Sequence, residues 1–580
     1  MIGKRSAQMP LYDVGNVFDY ALKPGSFHAQ LAVAAPRLFS DDDFAAFYST
    51  KMGRPSVPPS QLALIYLMQA EAQVSDEEAI ARTACDLRWA AVLRTAAGNE
   101  YCAKSTLQLF RAHLDLHREV EAIFASSIKE AKRAGLLKGR ALQVAIDTKP
   151  IRGRGSVQDT FNLVATGIRQ LARALAKIAG QDTDAYLLVH DLNRYTEPSI
   201  KASADIDWSD EQARSCVLTE IVIDAKRLLS LAGSHGTDAV REAAKLLEQL
   251  MLQDIETKKN DDGSEQSTIK DGTARGRMPS ATDPDVRHGR KSSSKRFNGH
   301  KADIAVDQDS GIIVAFNVLA GDAADASGAL ELVKRAEHNT DMAVEETAAD
   351  CAYGGGPTRQ EFADAGRVLI AKVPHEPSRD GLYPKSAFTI DLENDTVRCP
   401  AGHTSTKYYT EEGSKHFQFG RLCADCPLRS ACTKAKGGRR ITVHPQEATI
   451  REARRYQKTP EGRAHLRKRV VVEHRLARLA QLGIGQSRYK GREKTRIQLM
   501  MACAIANFRL AWNQNTGSGA QSGLLVPIYA LIWNWMLTCR PTKAHKSIAG
   551  GGIRQNAVLP ARLNAGNTKC REKPTFRPRF

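Results

Sequence analysis

Three acidic residues, Asp147, Asp350 and Glu473, sit where carboxylates can do chemistry. Asp147 closes the aliphatic run Ala141-Leu-Gln-Val-Ala-Ile-Asp147, bounded by Gly139 and Pro150. Such a run reads as a central strand, and its carboxyl end is where open α/β sheets keep their reactive groups. The alternative is that Asp147 only opens a turn before Thr148-Lys149-Pro150. Asp350 ends a second apolar segment, Thr347-Ala-Ala-Asp350, and precedes Cys351-Ala-Tyr353-Gly354-Gly-Gly356, a turn that lets a backbone or ligand approach closely. Glu473 falls in a stretch, Glu461 to Leu482, that reads as one helix. At about 100° per residue, Leu466, Val470, Val472, Leu476, Leu479 and Ala480 share one broad arc, and Glu473 and Arg469 fall inside it. Arg467, Lys468, His474, Arg475 and Arg478 lie opposite. A carboxylate on a core-facing side is costly unless it is paired or binds a cation. An Arg469–Glu473 pair at i, i+4 would satisfy itself and is the bland account of both.

Taken together, two strand-end aspartates and a helix glutamate suit phosphoryl transfer with two divalent ions. Hard cations about 3.5 to 4 Å apart need shared oxygen ligands, and carboxylates bring both the oxygens and the neutralising charge. A second set of ligand-type residues lies between Asp350 and Glu473: Cys399-Pro-Ala-Gly-His403, then Cys423-Ala-Asp-Cys426 and Cys432. Cys-x2-Cys with two further cysteines nearby predicts a tetrahedral zinc site with four thiolate ligands, and His403 could replace one thiolate. Four unpaired thiols in a surface insertion are the alternative.

The elements that must position these groups are those of a long basic chain. At 580 residues it has room for several domains, and 42% hydrophobic with 26% charged residues is globular composition. The net charge of +18 calls for a polyanionic partner, and the charge is clustered: fifteen Lys/Arg against four Asp/Glu between Arg451 and Met500, with a second block from Arg287 to Lys301. Eleven cysteines without a leading apolar segment do not suggest a secreted disulfide framework. Met1-Ile-Gly-Lys-Arg-Ser6 has no hydrophobic run behind it, and Leu524 to Leu537 is too short for a span and contains Pro527. The expectation is a cytoplasmic, nucleoid-associated protein with no membrane segment.

In chain order, residues 1–135 read as helical and as a DNA-binding domain. Ser60 before Leu62 to Met68, Ser75-Asp-Glu-Glu78 and Ser105 serve as helix starts. A helix-turn-helix reader and a helical packing or dimerisation domain fit this pattern equally. Residues 154–296 form a helical insertion whose later part, Lys258 to Ser294, reads as a loop or linker. His300 to Asp307, the turn Gln308-Asp-Ser-Gly311 and Ile312 to Leu319 predict an antiparallel hairpin. A helix, the strand ending at Asp350, a short helix near Thr358 to Ala365 and a strand over Arg367 to Val373 follow, which is α/β organisation with a mixed sheet. Residues 376–449 carry the cysteines, and residues 513–580 read as a basic, disordered tail.

These features together resemble the DDE transposases of bacterial insertion sequences. The likeness rests on Gly53-Arg-Pro-Ser-Val-Pro-Pro59, Asp86-Leu-Arg-Trp89, Ala145-Ile-Asp147-Thr148, Asp283-Pro-Asp285 leading into Phe297-Asn-Gly-His-Lys301, Ala349-Asp350-Cys-Ala-Tyr353-Gly354, Arg469-Val-Val-Val-Glu473-His474 and Arg488-Tyr-Lys-Gly-Arg492. It implies an RNase H-like mixed sheet with flanking helices, built from residues 140–153, 297–375 and 450–512, behind an all-α N-terminal domain and with helical and Cys-rich insertions. It also implies that Asp147, Asp350 and Glu473 bind two Mg2+ (or Mn2+) ions, with Arg469 beside them. Leu466 and Ala480 depart from the extended pattern, which has a tyrosine and a lysine there. The expected activity is metal-dependent cleavage of double-stranded DNA at inverted-repeat ends and joining to target DNA, by a homodimer or higher oligomer. A nuclease on the same fold, or a DNA-binding protein decayed from such an enzyme, are the alternatives.

Overall fold

The computed structural model describes residues 1–5, 22–49, 53–117, 121–139, 141–233, 236–259, 265–292, 294–374 and 381–517. The basic tail expected from residue 513 therefore lies outside the described residues beyond 517, as does the apolar run Leu524 to Leu537.

Among the described residues six α-helices precede the first strand: α1 (Phe27–Leu38), α2 (Pro59–Ala72), α3 (Asp76–Cys85), α4 (Leu87–Leu93), α5 (Lys104–Leu116) and α6 (Ala122–Arg133). Ser75 caps α3 by accepting from the Glu78 N–H at 3.1 Å, and Asp86 caps α4 by accepting from Arg88 N–H at 2.9 Å. Two starts differ from expectation. α2 begins at Pro59, whose fixed φ and missing N–H suit the first turn, so Ser60 is inside the helix, buried, with its own N–H on Asp41 Oδ1 at 3.0 Å. α5 begins at Lys104 with no side-chain cap, so Ser105 does not open it.

The main sheet contains β1 (Leu142–Arg152), β4 (Arg287–Arg290), β5 (Arg296–Asp307), β6 (Ile313–Ala320), β7 (Val344–Ala349) and β8 (Val368–Ala371), with α10 (Ala329–Thr340) and α11 (Gly356–Asp364) between the later strands. Its order is β4-β5-β1-β7-β8, with β6 also paired to β5. β5 is antiparallel to β1, β4 and β6, whereas β1, β7 and β8 run parallel. The hairpin, helix and strand order expected for residues 300–373 is found.

Between β1 and β4 lie the long helices α7 (Thr160–Ile178), α8 (Glu211–Ala232) and α9 (Asp238–Asp254), then the hairpin β2 (Ile255–Lys259) and β3 (Glu265–Ile269). The segment 258–294 is thus no linker. It contributes β3 and β4, and it buries Ser280, Ala281, Asp283 and Val286 against its neighbours, contacts that composition alone does not reveal. Residues 389–443 hold two small antiparallel sheets, β9 (Thr389–Asp391), β10 (Thr396–Arg398) and β11 (Thr404–Ser405), and β12 (Tyr408–Glu411), β13 (Ser414–Gln418) and β14 (Arg440–Val443). The described chain ends in α12 (Glu447–Tyr456), α13 (Pro460–Lys468), α14 (Val470–Gln481) and α15 (Arg492–Gly517).

The apolar residues bury into three main clusters. One is continuous from Phe27 through α6 and the main sheet to α15, so the N-terminal helices share their core with the strands. Fully buried Asn507 joins these layers: its side chain accepts from Ile313 N–H, donates to Ile313 C=O, both at 2.9 Å, and donates to Ser127 Oγ at 3.2 Å. The helical insertion has its own core around Phe161, Leu171, Tyr195 and Leu247. The cysteine-rich segment has a third around Phe388, Val397, Phe417 and Ile441. Among the described residues no helix is long and apolar enough to cross a membrane.

Candidate active site

β1 and β7 are paired in parallel only as far as Ala145 opposite Ala348. Two residues farther along the chain in each case stand Asp147, still within β1, and Asp350, just past the end of β7. They therefore occupy equivalent positions at the mouth of the split between two parallel strands, the kind of crevice where α/β sheets gather ligands. β1 does not stop there. It continues to Arg152 against β5, with Asp147 opposite Ile304, so Asp147 neither ends its strand nor opens a turn. What ends at Asp147 is the pairing with β7, a property of two strands and not of one.

Asp147 Oδ1 accepts from the Thr148 N–H at 2.7 Å. Asp350 Oδ1 caps the short turn Cys351–Tyr353 by accepting from Ala352 N–H at 2.8 Å. That turn passes so close to the end of β8 that a Cβ on Gly354 would lie 1.9 Å from the Lys372 carbonyl oxygen. Only glycine allows the approach.

Glu473 reaches the crevice from α14, which lies against β1 and β5. The predicted single helix is broken at Arg469, between α13 and α14. The buried stripe is also narrower than expected: Val472, Leu476 and Leu479 are buried, while Val470 is 50% exposed and Ala480 is exposed. Glu473 lies about 100° from Val472, at the margin of that stripe, and its side chain is 52% exposed. The core-facing position expected for it is therefore corrected to the edge of the cleft. Arg469 joins the two elements. Its Nη1 donates to Asp147 Oδ2 at 3.0 Å and its Nη2 donates to Glu473 Oε1. The i, i+4 pair exists, and the same guanidinium also holds Asp147.

Burial raises Asp147 to a pKa of about 6, the Asp350 charge adds to the rise, and the Thr148 N–H and Arg469 oppose it. Sequence reasoning missed two neighbours. Asp303 on β5 is 1% exposed, and both its carboxylate oxygens lack a hydrogen-bond partner. Burial pushes it far above the usual carboxylate range, with the charges of Asp325 and Asp147 adding. Tyr353 is fully buried with an unpartnered hydroxyl, pushed up by burial and by Asp303, Asp147, Asp325 and Asp350. Asp325 takes the Lys301 ammonium at 2.7 Å. A charged residue inside the apolar run of β5 was the available signal for Asp303. Recognising its neighbours required the pairing with β1.

The four cysteines meet elsewhere. Cys399, Cys423, Cys426 and Cys432 line one small cavity with His403. Cys423 and Cys432 are buried, and burial raises the Cys432 thiol, with the other three sulfurs adding and Arg439 opposing. Arg439 ties the cavity wall together through the Cys432 and Tyr383 carbonyls, both at 2.9 Å. Among the described residues, no group of three or more His, Cys, Asp or Glu side chains is arranged to hold a metal ion, and this applies to both clusters.

Residues 398–511 match the family model described as Transposase DDE domain, and residues 16–113 match the one described as Transposase domain (DUF772). The first spans the cysteine cluster, Arg469, Glu473 and most of α15; the second spans α1 to α4 and most of α5. No curated protein and no solved structure is matched by the chain. With one match toward each end of the described residues, both to transposase domains, the two hits support an insertion-sequence DDE transposase.

Proposed function

We propose that the chain cuts DNA at transposon ends and joins the freed 3′ hydroxyl to target DNA, using Asp147, Asp350 and Glu473 to hold two divalent ions. The observation that carries this reading is the register: Asp147 and Asp350 stand at matching positions beyond the last pair of β1 and β7, and Glu473 is tied to Asp147 through Arg469. The sheet supports an RNase H-like arrangement, since antiparallel β6, β5 and β1 are extended by β7 and β8 running parallel to β1.

By their chemistry, all-oxygen carboxylate donors suit hard cations. The charge of Asp350 raises the cost of ionising Asp147, and Arg469 is the one ion-pair partner of Asp147 among the described residues. Carboxylate oxygens that crowd without matching positive charge favour Mg2+ or Mn2+ over soft metals. When bound, two such ions would supply an activated water or 3′ hydroxyl and charge stabilisation at the leaving oxygen. Asp147 and Asp350 would orient from the rigid sheet, while exposed Glu473 would close the set from the cleft edge. Arg469 would hand its two carboxylates over as the positive charge arrives. The four cysteines, which line one cavity, would take a structural zinc ion. The helices of residues 1–135 and the basic residues around α12 to α15 would contact the DNA backbone.

The test is cleavage and joining of end DNA in Mg2+ by Asp147→Asn, Asp350→Asn and Glu473→Gln. Each should lose activity by on the order of 10^2- to 10^3-fold while keeping its circular dichroism spectrum. Full activity in all three removes the proposal. Pre-cleaved ends separate transfer from simple hydrolysis, because only strand transfer yields joined product.

A further inference from the structure

Behind the crevice carboxylates lies a second, buried layer of polar groups. Asp303 on β5 is paired with Thr148 on β1, and directly paired residues of antiparallel strands project to the same face, so Asp303 lies on the side of the sheet opposite Asp147. Lys301, two residues earlier, shares that face. Its ammonium donates to Asp325 Oδ1 at 2.7 Å and to the Ala323 carbonyl at 2.6 Å. Lys301 and Asp325 therefore balance each other, and Asp303 has no counter-charge of its own among the described residues. Tyr353 reaches this layer from the other side of the split, at the end of the short turn that Asp350 caps. Of the charges that act on its hydroxyl, that of Asp303 is the strongest.

Both side chains are sealed from solvent, and neither the Tyr353 hydroxyl nor either Asp303 oxygen has another hydrogen-bond partner among the described residues. A buried polar group left alone is costly, and two such groups side by side relieve one another. Their chemistry is complementary: a phenol brings the O–H and a carboxyl brings the accepting oxygen. Burial pushes the Tyr353 hydroxyl far above its ordinary range, so it keeps the proton it would donate. The same turn is already held on its far side, where Gly354 packs against the Lys372 carbonyl beyond β8. A tie from Tyr353 to β5 would anchor the turn at both flanks, with Asp350 at its head.

We propose that the Tyr353 hydroxyl donates to Asp303, and that this buried pair fastens the Asp350 turn to the strands that carry Asp147, making Tyr353 and Asp303 positioning residues for the crevice carboxylates. The proposal rests on the metal-binding reading above. It adds a link that the crevice otherwise lacks: Arg469 joins Asp147 to Glu473, and the Tyr353–Asp303 pair joins the Asp350 arm to β5 from behind. Neither residue of the pair touches the ions. Their part is to set the spacing at which Asp147 and Asp350 meet them.

The experiment measures Mn2+ binding to the metal-free, full-length protein by calorimetry, with melting temperatures alongside. Tyr353→Phe removes the donor and should weaken Mn2+ binding by about tenfold. It should also lower the melting temperature, because Asp303 is left buried without its partner. Asp303→Asn keeps an accepting oxygen and should bind Mn2+ within about twofold of the wild type. Asp303→Leu should weaken binding as Tyr353→Phe does, and it serves if the phenylalanine variant fails to fold. Combining Asp303→Leu with Tyr353→Phe removes both polar groups, so the melting temperature should recover while Mn2+ affinity stays low. That split separates positioning from mere support of the fold. Unchanged Mn2+ affinity in Tyr353→Phe and Asp303→Leu overturns the pair and leaves the metal-binding reading intact, as does an Asp303→Asn variant as weak as Asp303→Leu. Recovery of Mn2+ affinity together with the melting temperature in the double variant also overturns it. A wild type that binds no Mn2+ overturns the pair's role and the metal-binding reading together.

Discussion

The carboxylate crevice and the cysteine-lined core both gather like side chains, but they do so by opposite routes. Asp147, Asp350 and Glu473 come from three distant segments: Asp147 and Asp350 stand just beyond the last pair of β1 and β7, and Arg469 ties Glu473 to Asp147. The four cysteines come from one stretch, residues 399–432, packed on a small core of their own. The difference in charge is equally sharp. Burial favours the neutral thiol of Cys432, and the neighbouring Arg439 charge opposes it. Asp147, at about 6, is largely ionised at neutral pH, and the chain supplies Arg469 to balance it. Grouped thiols are cheap to hold and depend on their own small fold. Grouped carboxylates are expensive and need the whole domain behind them.

The largest expected effect breaks this comparison at the cysteine end. If the thiols take zinc, the metal should copurify near one ion per chain and contribute on the order of 10 kcal/mol to that small core. Chelation, or Cys423→Ala with Cys426→Ala, should then open residues 389–443 to protease while the main sheet resists. Protein that carries no zinc, with proteolysis indifferent to chelator, would discard the idea.

At the carboxylate end, Asp147 binds its proton more tightly folded than unfolded. Metal-free stability should therefore fall as pH rises from the ordinary aspartate range toward about 6, and level off above it. Asp147→Asn removes this penalty and should stabilise the metal-free protein by about 2 to 3 kcal/mol above pH 6, with no gain near pH 4. Denaturant melts at the two pH values decide this, and an equal gain at both would contradict the sign. Arg469→Ala should cost about 1 to 2 kcal/mol at pH 7, because it leaves a mostly buried carboxylate without its partner. Glu473→Gln should change stability by less than about 0.5 kcal/mol, since its half of the bridge is half exposed to water.

Much of this was readable from local pattern. The aliphatic runs before Asp147 and Asp350 announced their strands, the turn at residues 308–311 announced a hairpin, and Cys423-Ala-Asp-Cys426 announced clustered sulfurs. The strands β3 and β4 were not readable, because Lys258 to Ser294 is polar and pairs only once distant partners are in place. The burial of Glu473 was misjudged for a related reason: helix periodicity gives an arc, and only the neighbouring strands decide how much of it is covered. Asp303 was overlooked because a polar residue in a strand is ordinary until both its faces are known.

Residue types and their spacing were therefore enough to mark candidate cation ligands, to place β1, the β5–β6 hairpin, β7 and several helices, and to show that the chain carries a large positive charge. Tertiary structure alone decided that β1 and β7 part company just before their aspartates, that Arg469 serves two acids at once, and that Asp303 and Tyr353 are buried behind the crevice. Local propensity is a property of neighbours in the chain. Register, burial and shared counter-charge arise between segments hundreds of residues apart, where no local pattern records the distance.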